Sequence, residues 1–374
     1  MKILVTGANG FIGKNLTLEL KNEGFEILSY DLDKSEEQLN EYLKLADFII
    51  HLAGVNRPLN KEEFYDGNTN FTLKLINLIK QTNRKIPIIF SSSIQASLEN
   101  DYGVSKKKAE ELLLAFAKEN NNPVYIYQLS NVFGKWSRPN YNSVVATFCY
   151  NITHNLPIQI HNQNATVSLV YIDDIVKEFI SIIKLSEYKV NNDILEVLPV
   201  YHLPLTKLAD TLYDFKKTRE NFLTPHFESD FEHKLYATFL SYYEVEDFVY
   251  NLKMNVDQRG SFTEVLKTLK DGQFSVNVSK PDIVKGNHYH HTKTEKFIVV
   301  SGICEIKFRK INETTIKTFV VNGDKLQVID IPPGYTHSIK NIGKIDSVTL
   351  IWASEIFDKN NPDTYYEEVE INEK

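Results

Sequence analysis

Lys2-Ile3-Leu4-Val5-Thr6-Gly7-Ala8-Asn9-Gly10-Phe11-Ile12-Gly13 is the stretch whose reading decides the fold of the first two thirds of the chain. A short apolar strand runs into three glycines at GxxGxxG spacing, and an amphipathic helical pattern begins at Lys14-Asn15-Leu16. Strand, glycine turn and helix start form the context in which a dinucleotide is held. The glycines let backbone approach a pyrophosphate, and the helix N-terminus offers N–H groups and a favourable dipole. Gly7, Gly10 and Gly13, with Phe11 and Ile12 between them, are therefore expected to bind cofactor.

A second strand over 25–30 ends at Asp31, slightly under twenty residues past the turn, where an acid would accept hydrogen bonds from an adenosine ribose. Asp33 is the near alternative. Residues 48–54 read as a buried parallel strand ending in Leu52-Ala53-Gly54, small enough for a cofactor to lie close to the backbone. Asn68-Thr69-Asn70 is expected to open a further helix, and the next strand, over 86–90, runs into Ser91-Ser92-Ser93.

Nine residues past Ser93 comes Tyr102-Gly103-Val104-Ser105-Lys106. On a helix, residues four apart share a face. A lysine cation beside a phenol favours the phenolate, so Lys106 is expected to lower the Tyr102 pKa. Such a phenol can give a proton to a ketone oxygen near neutral pH, and a serine hydroxyl, Ser93 or Ser92, can hold the same oxygen. The same spacing recurs at Tyr30/Lys34, Tyr213/Lys217 and Tyr289/Lys293, but only Tyr102 follows a serine-ended strand downstream of a nucleotide turn.

Together these residues resemble the extended short-chain dehydrogenase/reductase family that works on nucleotide sugars, over roughly residues 1 to 240. The resemblance implies a Rossmann-type doubly wound parallel α/β sheet. It implies Ser93, Tyr102 and Lys106 as the catalytic set, Lys106 also holding the nicotinamide ribose and Asn68 supporting the site. Ser130-Asn131-Val132-Phe133-Gly134 looks like that family's turn before the substrate loop. Arg138 and Asn140-Tyr141-Asn142-Ser143 then become candidate sugar-nucleotide contacts.

A net charge of −7 without a long basic run argues against nucleic acid as the main partner. Two isolated cysteines, Cys149 and Cys304, make no disulfide framework and fit a reducing compartment. The chain shows no signal-peptide pattern and no apolar run of membrane length, so a cytosolic protein is expected.

Helical periodicity over 205–213 and 231–243 gives way near Glu246 to short alternating strands, predicted over 274–278, 296–300, 304–309, 315–321, 326–331 and 348–352. Two domains are expected, 1–245 and 246–374. Within the second lie Gly286-Asn287-His288-Tyr289-His290, then Glu295 and Gly302, and later Pro332-Pro333-Gly334-Tyr335-Thr336-His337 and Asn341. Three imidazoles and a carboxylate in strand-rich sequence are the ligands of a divalent transition metal, so His288, His290, Glu295 and His337 are the predicted metal ligands. His288 and His290, two apart, would face one side of a strand. The pattern resembles both halves of the cupin signature, HxHx4Ex6G and PxGx2Hx3N, and implies an all-β jelly-roll barrel. The opening Asp257-Gln258-Arg259-Gly260 looks like that of nucleotide-sugar epimerase cupins, in which an arginine such as Arg259 reaches the substrate.

The two-domain order resembles closely the bifunctional enzymes of capsular polysaccharide and O-antigen synthesis on the N-acetyl-L-fucosamine route. That resemblance implies a UDP-2-acetamido-2,6-dideoxy-4-hexulose substrate, epimerised at C3 and reduced at C4 to UDP-2-acetamido-2,6-dideoxy-L-talose. It implies NADPH, zinc and a homodimer. Asp31 repels a 2′-phosphate and keeps NADH open. The ligand set alone would accept nickel, manganese or iron. His291, Lys296 and Tyr335 are the candidates for moving the C3 proton.

Overall fold

The computed structural model describes residues 1–190 and 193–371. Its first sheet is built from β1 (Lys2–Thr6), β2 (Glu26–Tyr30), β3 (Phe48–His51), β4 (Ile88–Ser93) and β5 (Val124–Leu129), with Ile194–Leu195 at the edge. The order is β2-β1-β3-β4-β5 followed by Ile194–Leu195, and every pairing is parallel. β1 shows why: Ile3, Leu4 and Val5 are all fully buried, Leu4 in one apolar core and Ile3 and Val5 in another. A strand covered on both faces belongs in the middle of a parallel sheet. The strand order reverses between β1 and β3, and ligands of such sheets bind at the carboxyl ends beside that reversal. The glycine turn leaves β1 there, and Leu52-Ala53-Gly54 leaves β3 there.

Helices Phe11–Asn22, Glu36–Leu45, Phe71–Gln81, Asp101–Asn120 and Ile172–Ile183 accompany the strands. Ser35 and Gln38 close a reciprocal capping box at the second of these. The helix expected to open at Asn68 begins earlier. Glu62–Phe64 leads into a π-helical turn, Tyr65–Asn70, which continues as Phe71–Gln81. Asn68 thus sits inside a helical run, and such π turns are frequent at functional sites. A small sheet of Asn131–Phe133, Thr166–Tyr171 and Tyr201–Pro204 completes this part.

The later strands form two antiparallel sheets. One orders Met254–Asp257, Gly260–Thr268, Gly272–Ser279, Ser347–Ala353, Glu295–Ser301 and Val328–Ile331. The other orders Ile316–Asn322, Ile303–Lys310, Tyr335–Asn341, Val284–Tyr289 and Tyr365–Tyr366. Their apolar core includes Phe297, Val299, Cys304, Ile306, Phe308 and Ile339. The tail after Asp358 covers an edge, since Tyr365–Tyr366 pairs with His288 and Tyr289. Cys149 and Cys304 are both free thiols and buried. The chain divides into two compact units: 1–213 with 229–243, and 214–228 with 244–374. No helix among the described residues is long and apolar enough to cross a membrane.

Candidate functional site

In the first unit, Gly10 caps the Phe11–Asn22 helix without a side chain, leaving the first turn open to a phosphate. A Cβ on Gly13 would stand 2.3 Å from the Gly7 carbonyl oxygen, so turn and helix close on one another only as glycine. Asp31 accepts hydrogen bonds from the backbone N–H of Asn9 (2.8 Å) and Leu32 (2.9 Å), tying the end of β2 to the glycine turn. Asp33 instead pairs with Lys34. Leu52 N–H donates to the Thr6 carbonyl and Ala53 N–H to the Thr6 hydroxyl, so the ends of β1 and β3 are stitched together. These residues form a cradle that fits a dinucleotide.

β4 delivers the serines. Ser92 is buried and donates to the Glu110 carboxylate at 2.6 Å, which commits it to the interior. Ser93 caps the 3-10 turn Ile94–Ser97 and hydrogen-bonds Tyr102. Gly103 explains that approach: a Cβ there would lie 2.2 Å from the Gln95 carbonyl oxygen, so the Asp101–Asn120 helix packs against this turn only with glycine at its start. One turn on, the buried Lys106 donates to the Ser91 carbonyl at 2.8 Å and lies 4.6 Å above the Phe90 ring. Burial lowers its pKa to about 8, opposed by Glu110.

The expected lowering of the Tyr102 pKa is not what the structure gives. Burial raises it, and the opposing influence is the Ser93 hydrogen bond rather than the Lys106 charge. The lysine has turned its ammonium toward Ser91, and removing the phenol from water costs the phenolate more than the neighbouring hydrogen bond returns.

Asn68 bonds the backbone N–H and carbonyl of Val55, both at 3.0 Å, and donates to the Ser105 hydroxyl at 2.9 Å. It thereby braces the loop after β3 against the helix carrying Tyr102 and Lys106. Gly54 lies directly over Asn68, where a Cβ would meet its Oδ1 at 2.6 Å.

The substrate-contact candidates are spread more widely. Asn131 donates to the Ser168 carbonyl, and Ser143 caps the Val144–Thr153 helix, so both side chains serve the backbone. Asn142 is exposed. Arg138 lies over the Tyr141 ring, and so does Arg57, a residue with no motif around it to draw notice. In the second unit, Arg259 is exposed and forked onto Asp257 of its own hairpin, at 3.0 and 2.7 Å.

The ligand atoms of His288, His290, Glu295 and His337 all lie within 4.8 Å of one another. A bulge brings them together. Gly286 and Asn287 have φ of +99° and +56°, and the register slips there so that His288 comes opposite His337. At Gly286 a Cβ would also strike the His337 carbonyl oxygen at 2.7 Å, so both conformation and space require glycine. Burial and the neighbouring histidines lower the His288 pKa to about 4. Burial pulls the Glu295 carboxyl up, but the His290 and His337 imidazoles, 3.4 and 3.6 Å from its oxygen, outweigh it and hold the group below the ordinary carboxylate range. His290 Nε2 and both ring nitrogens of His337 are buried without hydrogen-bond partners. Buried orphan imidazole nitrogens beside a carboxylate fit a divalent ion and are costly otherwise.

A strap holds the cluster from behind. The other nitrogen of His290, Nδ1, faces the Asp363 carbonyl at 2.6 Å, which orients the ring. The Asp363 carboxylate accepts the backbone N–H of His291, Thr292 and Lys293. The cluster opens on a cavity of about 390 Å³ lined by His288, Glu295, His337, Phe262, Lys285 and Glu355 among others. His291, Lys296 and Tyr335 do not line it. His291 is exposed against Tyr289 and Tyr365, Lys296 is exposed and paired with Asp330, and Tyr335 is exposed. Strand alternation sends Lys296 to the face opposite Glu295.

Residues 3–197 match the model of the NAD dependent epimerase/dehydratase family. The chain belongs to that family. Residues 255–365 match the polysaccharide biosynthesis C-terminal domain. This epimerase/dehydratase-family chain is 46% identical, over 98% of its length and 98% of the relative's, to a UDP-2-acetamido-2,6-beta-L-arabino-hexul-4-ose reductase of Pseudomonas aeruginosa. It is similar to the crystal structure of the capsular polysaccharide assembling protein CapF from Staphylococcus aureus, at TM-score 0.92 and 48% identity, covering 99% of this chain and 100% of that one. A UDP-glucuronic acid 4-epimerase from Bacillus cereus in complex with NAD, at 18% identity and TM-score 0.55, covers 65% of this chain and 98% of its own and shares the fold.

Arg57, Lys285, Glu355 and Asp363 are the residues that reading the sequence passed over. Each stands outside a motif and reaches its place only through the tertiary fold.

Proposed function

We propose that the chain is a bifunctional enzyme acting on a UDP-linked 2-acetamido-2,6-dideoxy-4-hexulose. Residues 246–374, as a cupin-type barrel, epimerise C3, and residues 1–245 then reduce the C4 ketone to give UDP-2-acetamido-2,6-dideoxy-L-talose. One observation carries this reading: a Ser93–Tyr102–Lys106 set and a His/His/Glu/His quartet occur in one chain that aligns end to end with a reductase of a UDP-linked 4-ketosugar.

A C–H bond beside a ketone is far more acidic than one beside an alcohol, so epimerisation precedes reduction. When bound at His288, His290, Glu295 and His337, a divalent ion, zinc in this proposal, supplies a Lewis acid for the ketone oxygen. The cavity's apolar side chains, including Phe262, Phe297, Ile339 and Ile351, keep the dielectric low around the acidified C–H bond and so strengthen the charge interactions there. In the reductase unit a nicotinamide, when bound in the glycine cradle, supplies the hydride. Ser93 holds the ketone oxygen and Tyr102 gives it a proton as the charge develops. Lys106, fixed by the Ser91 carbonyl, keeps a positive charge beneath the site. NADPH is the expected cofactor, with NADH the alternative that the Asp31 carboxylate favours. We place the enzyme in the cytoplasm as a homodimer, with no nucleic-acid or membrane partner.

A second reading is favoured by the relative's name, which records only reduction. In it the C-terminal sheets bind sugar or metal without catalysis. Incubating the metal-loaded protein with the UDP-linked 4-keto sugar in D₂O, without nicotinamide, separates the two. Exchange of the C3 proton, followed by NMR, is expected. Its absence, with ketone still consumed once NADPH or NADH is added, would leave a 4-ketoreductase alone.

A further inference from the structure

We infer that Glu355 is the general base that removes the C3 proton, an assignment that rests on the epimerase reading above. Apart from the quartet, four ionisable residues line the cavity: Glu264, Lys285, Lys293 and Glu355. Three are already occupied. Glu264 pairs with Lys267 at 2.5 Å. Lys285 gives its protons to the Asn277 side chain at 2.7 Å, to the Val278 carbonyl at 2.9 Å and to the Ser261 carbonyl at 3.5 Å. Lys293 is buried and donates to the Pro362 carbonyl and the Thr364 hydroxyl, both at 2.9 Å.

Glu355 is half-buried, and its carboxylate has no hydrogen-bond or ion-pair partner among the described residues. It is the one lining carboxylate free to turn toward a ligand. It follows the Ser347–Ala353 strand, whose last residue, Ala353, pairs with Glu295 in the sheet, so the backbone carrying it leaves directly beside the quartet. A general base must reach the proton it takes and have no stronger partner.

The step balances without further reagents. The C3–H bond breaks, its proton passes to the Glu355 carboxylate, and its electron pair forms the C3–C4 double bond of an enolate, the charge moving to the C4 oxygen. A solvent water then protonates C3 on the other face, and the hydroxide it leaves takes the proton from Glu355. In D₂O each inversion places one deuterium at C3.

The test is Glu355→Gln in the full-length, metal-loaded protein, with the 4-keto sugar in D₂O and no nicotinamide. Metal content and thermal unfolding are measured on the same samples. C3 exchange is expected to fall by at least ~100-fold, with metal content and unfolding unchanged, while Glu355→Asp recovers part of the rate. A Glu355→Gln protein exchanging within a few-fold of wild type overturns the assignment. So does one that has lost its metal, which would make the residue structural. Failure of the wild type itself to exchange would instead refute the epimerase reading, and the assignment would fall with it.

Discussion

The two sites handle unsatisfied polarity in opposite ways. In the parallel-sheet unit the side chains that build the candidate site have protein partners: Lys106 with Ser91, Ser92 with Glu110, Asn68 with Val55 and Ser105, and Tyr102 with Ser93. In the antiparallel unit, three buried imidazole nitrogens have no hydrogen-bond partner among the described residues. A site that must hold large organic ligands transiently keeps its own shape by internal bonds. A site made for one small ion, as proposed for the quartet, would leave its donors pointing at a common centre, because the ion would repay their desolvation.

Four measurements can break or sharpen that contrast. The largest effect is expected from Tyr102→Phe, which removes the proton donor while keeping the ring. Ketone reduction should drop by ~10²–10⁴, while C3 exchange in the other unit proceeds. A parallel loss of both activities would mean that the sites are not independent.

Next is removal of metal. If the quartet is built for an ion, a chelator should lower the unfolding temperature of the holoprotein. The loss is about 4 kcal/mol for metal held at a thousandfold excess over its Kd. His337→Ala should show no such chelator response. An unchanged melting profile on chelation would remove the ion from the account.

Asp363→Ala cuts the strap from the backbone of 291–293 and lets the carbonyl behind His290 drift. Metal affinity should weaken by about 10–100-fold, with apoprotein stability changed far less. Equal affinity in the variant would reduce the strap to an edge cover.

The last measurement concerns His51, buried between the Thr6 and Thr72 hydroxyls at 2.7 and 2.9 Å. Burial, aided by the Lys106 charge, lowers its pKa to about 3. The unfolded chain takes up this proton near pH ~6.5, so between pH 6.5 and about 3 the unfolded state holds the extra proton. Stability should therefore fall as pH falls through that window, by up to ~1.4 kcal/mol per pH unit from this group. His51→Gln should flatten that part of the slope in acid-unfolding titrations.

Local chemistry at short spacing was legible in the sequence. The β1 run and glycine turn lie within twelve residues, and the four metal-type ligands fall in two short motifs. What could not be read depends on distant chain. Tyr102 shows an upward pKa shift because burial comes from elements far apart in sequence. The residues suspected of moving the C3 proton, His291, Lys296 and Tyr335, are neighbours of ligands along the chain, but alternation and turns carry them out of the cavity. Glu355 arrives from beyond the last long strand. The helix boundary at Asn68 was misread because a π turn has no periodic signature of its own.

The path of the chain between the units carries a further consequence. Residues 214–228 join the second unit before 229–243 return to the first, through an isolated bridge between Leu223 and Lys267 and hydrogen bonds that flank it. Two proteins fused end to end need one junction; this chain has three. No single cut releases either half intact, and a recombination event swapping one catalytic half for another would have to exchange two separate stretches at once. The reductase and the proposed epimerase activity would therefore be inherited as a pair.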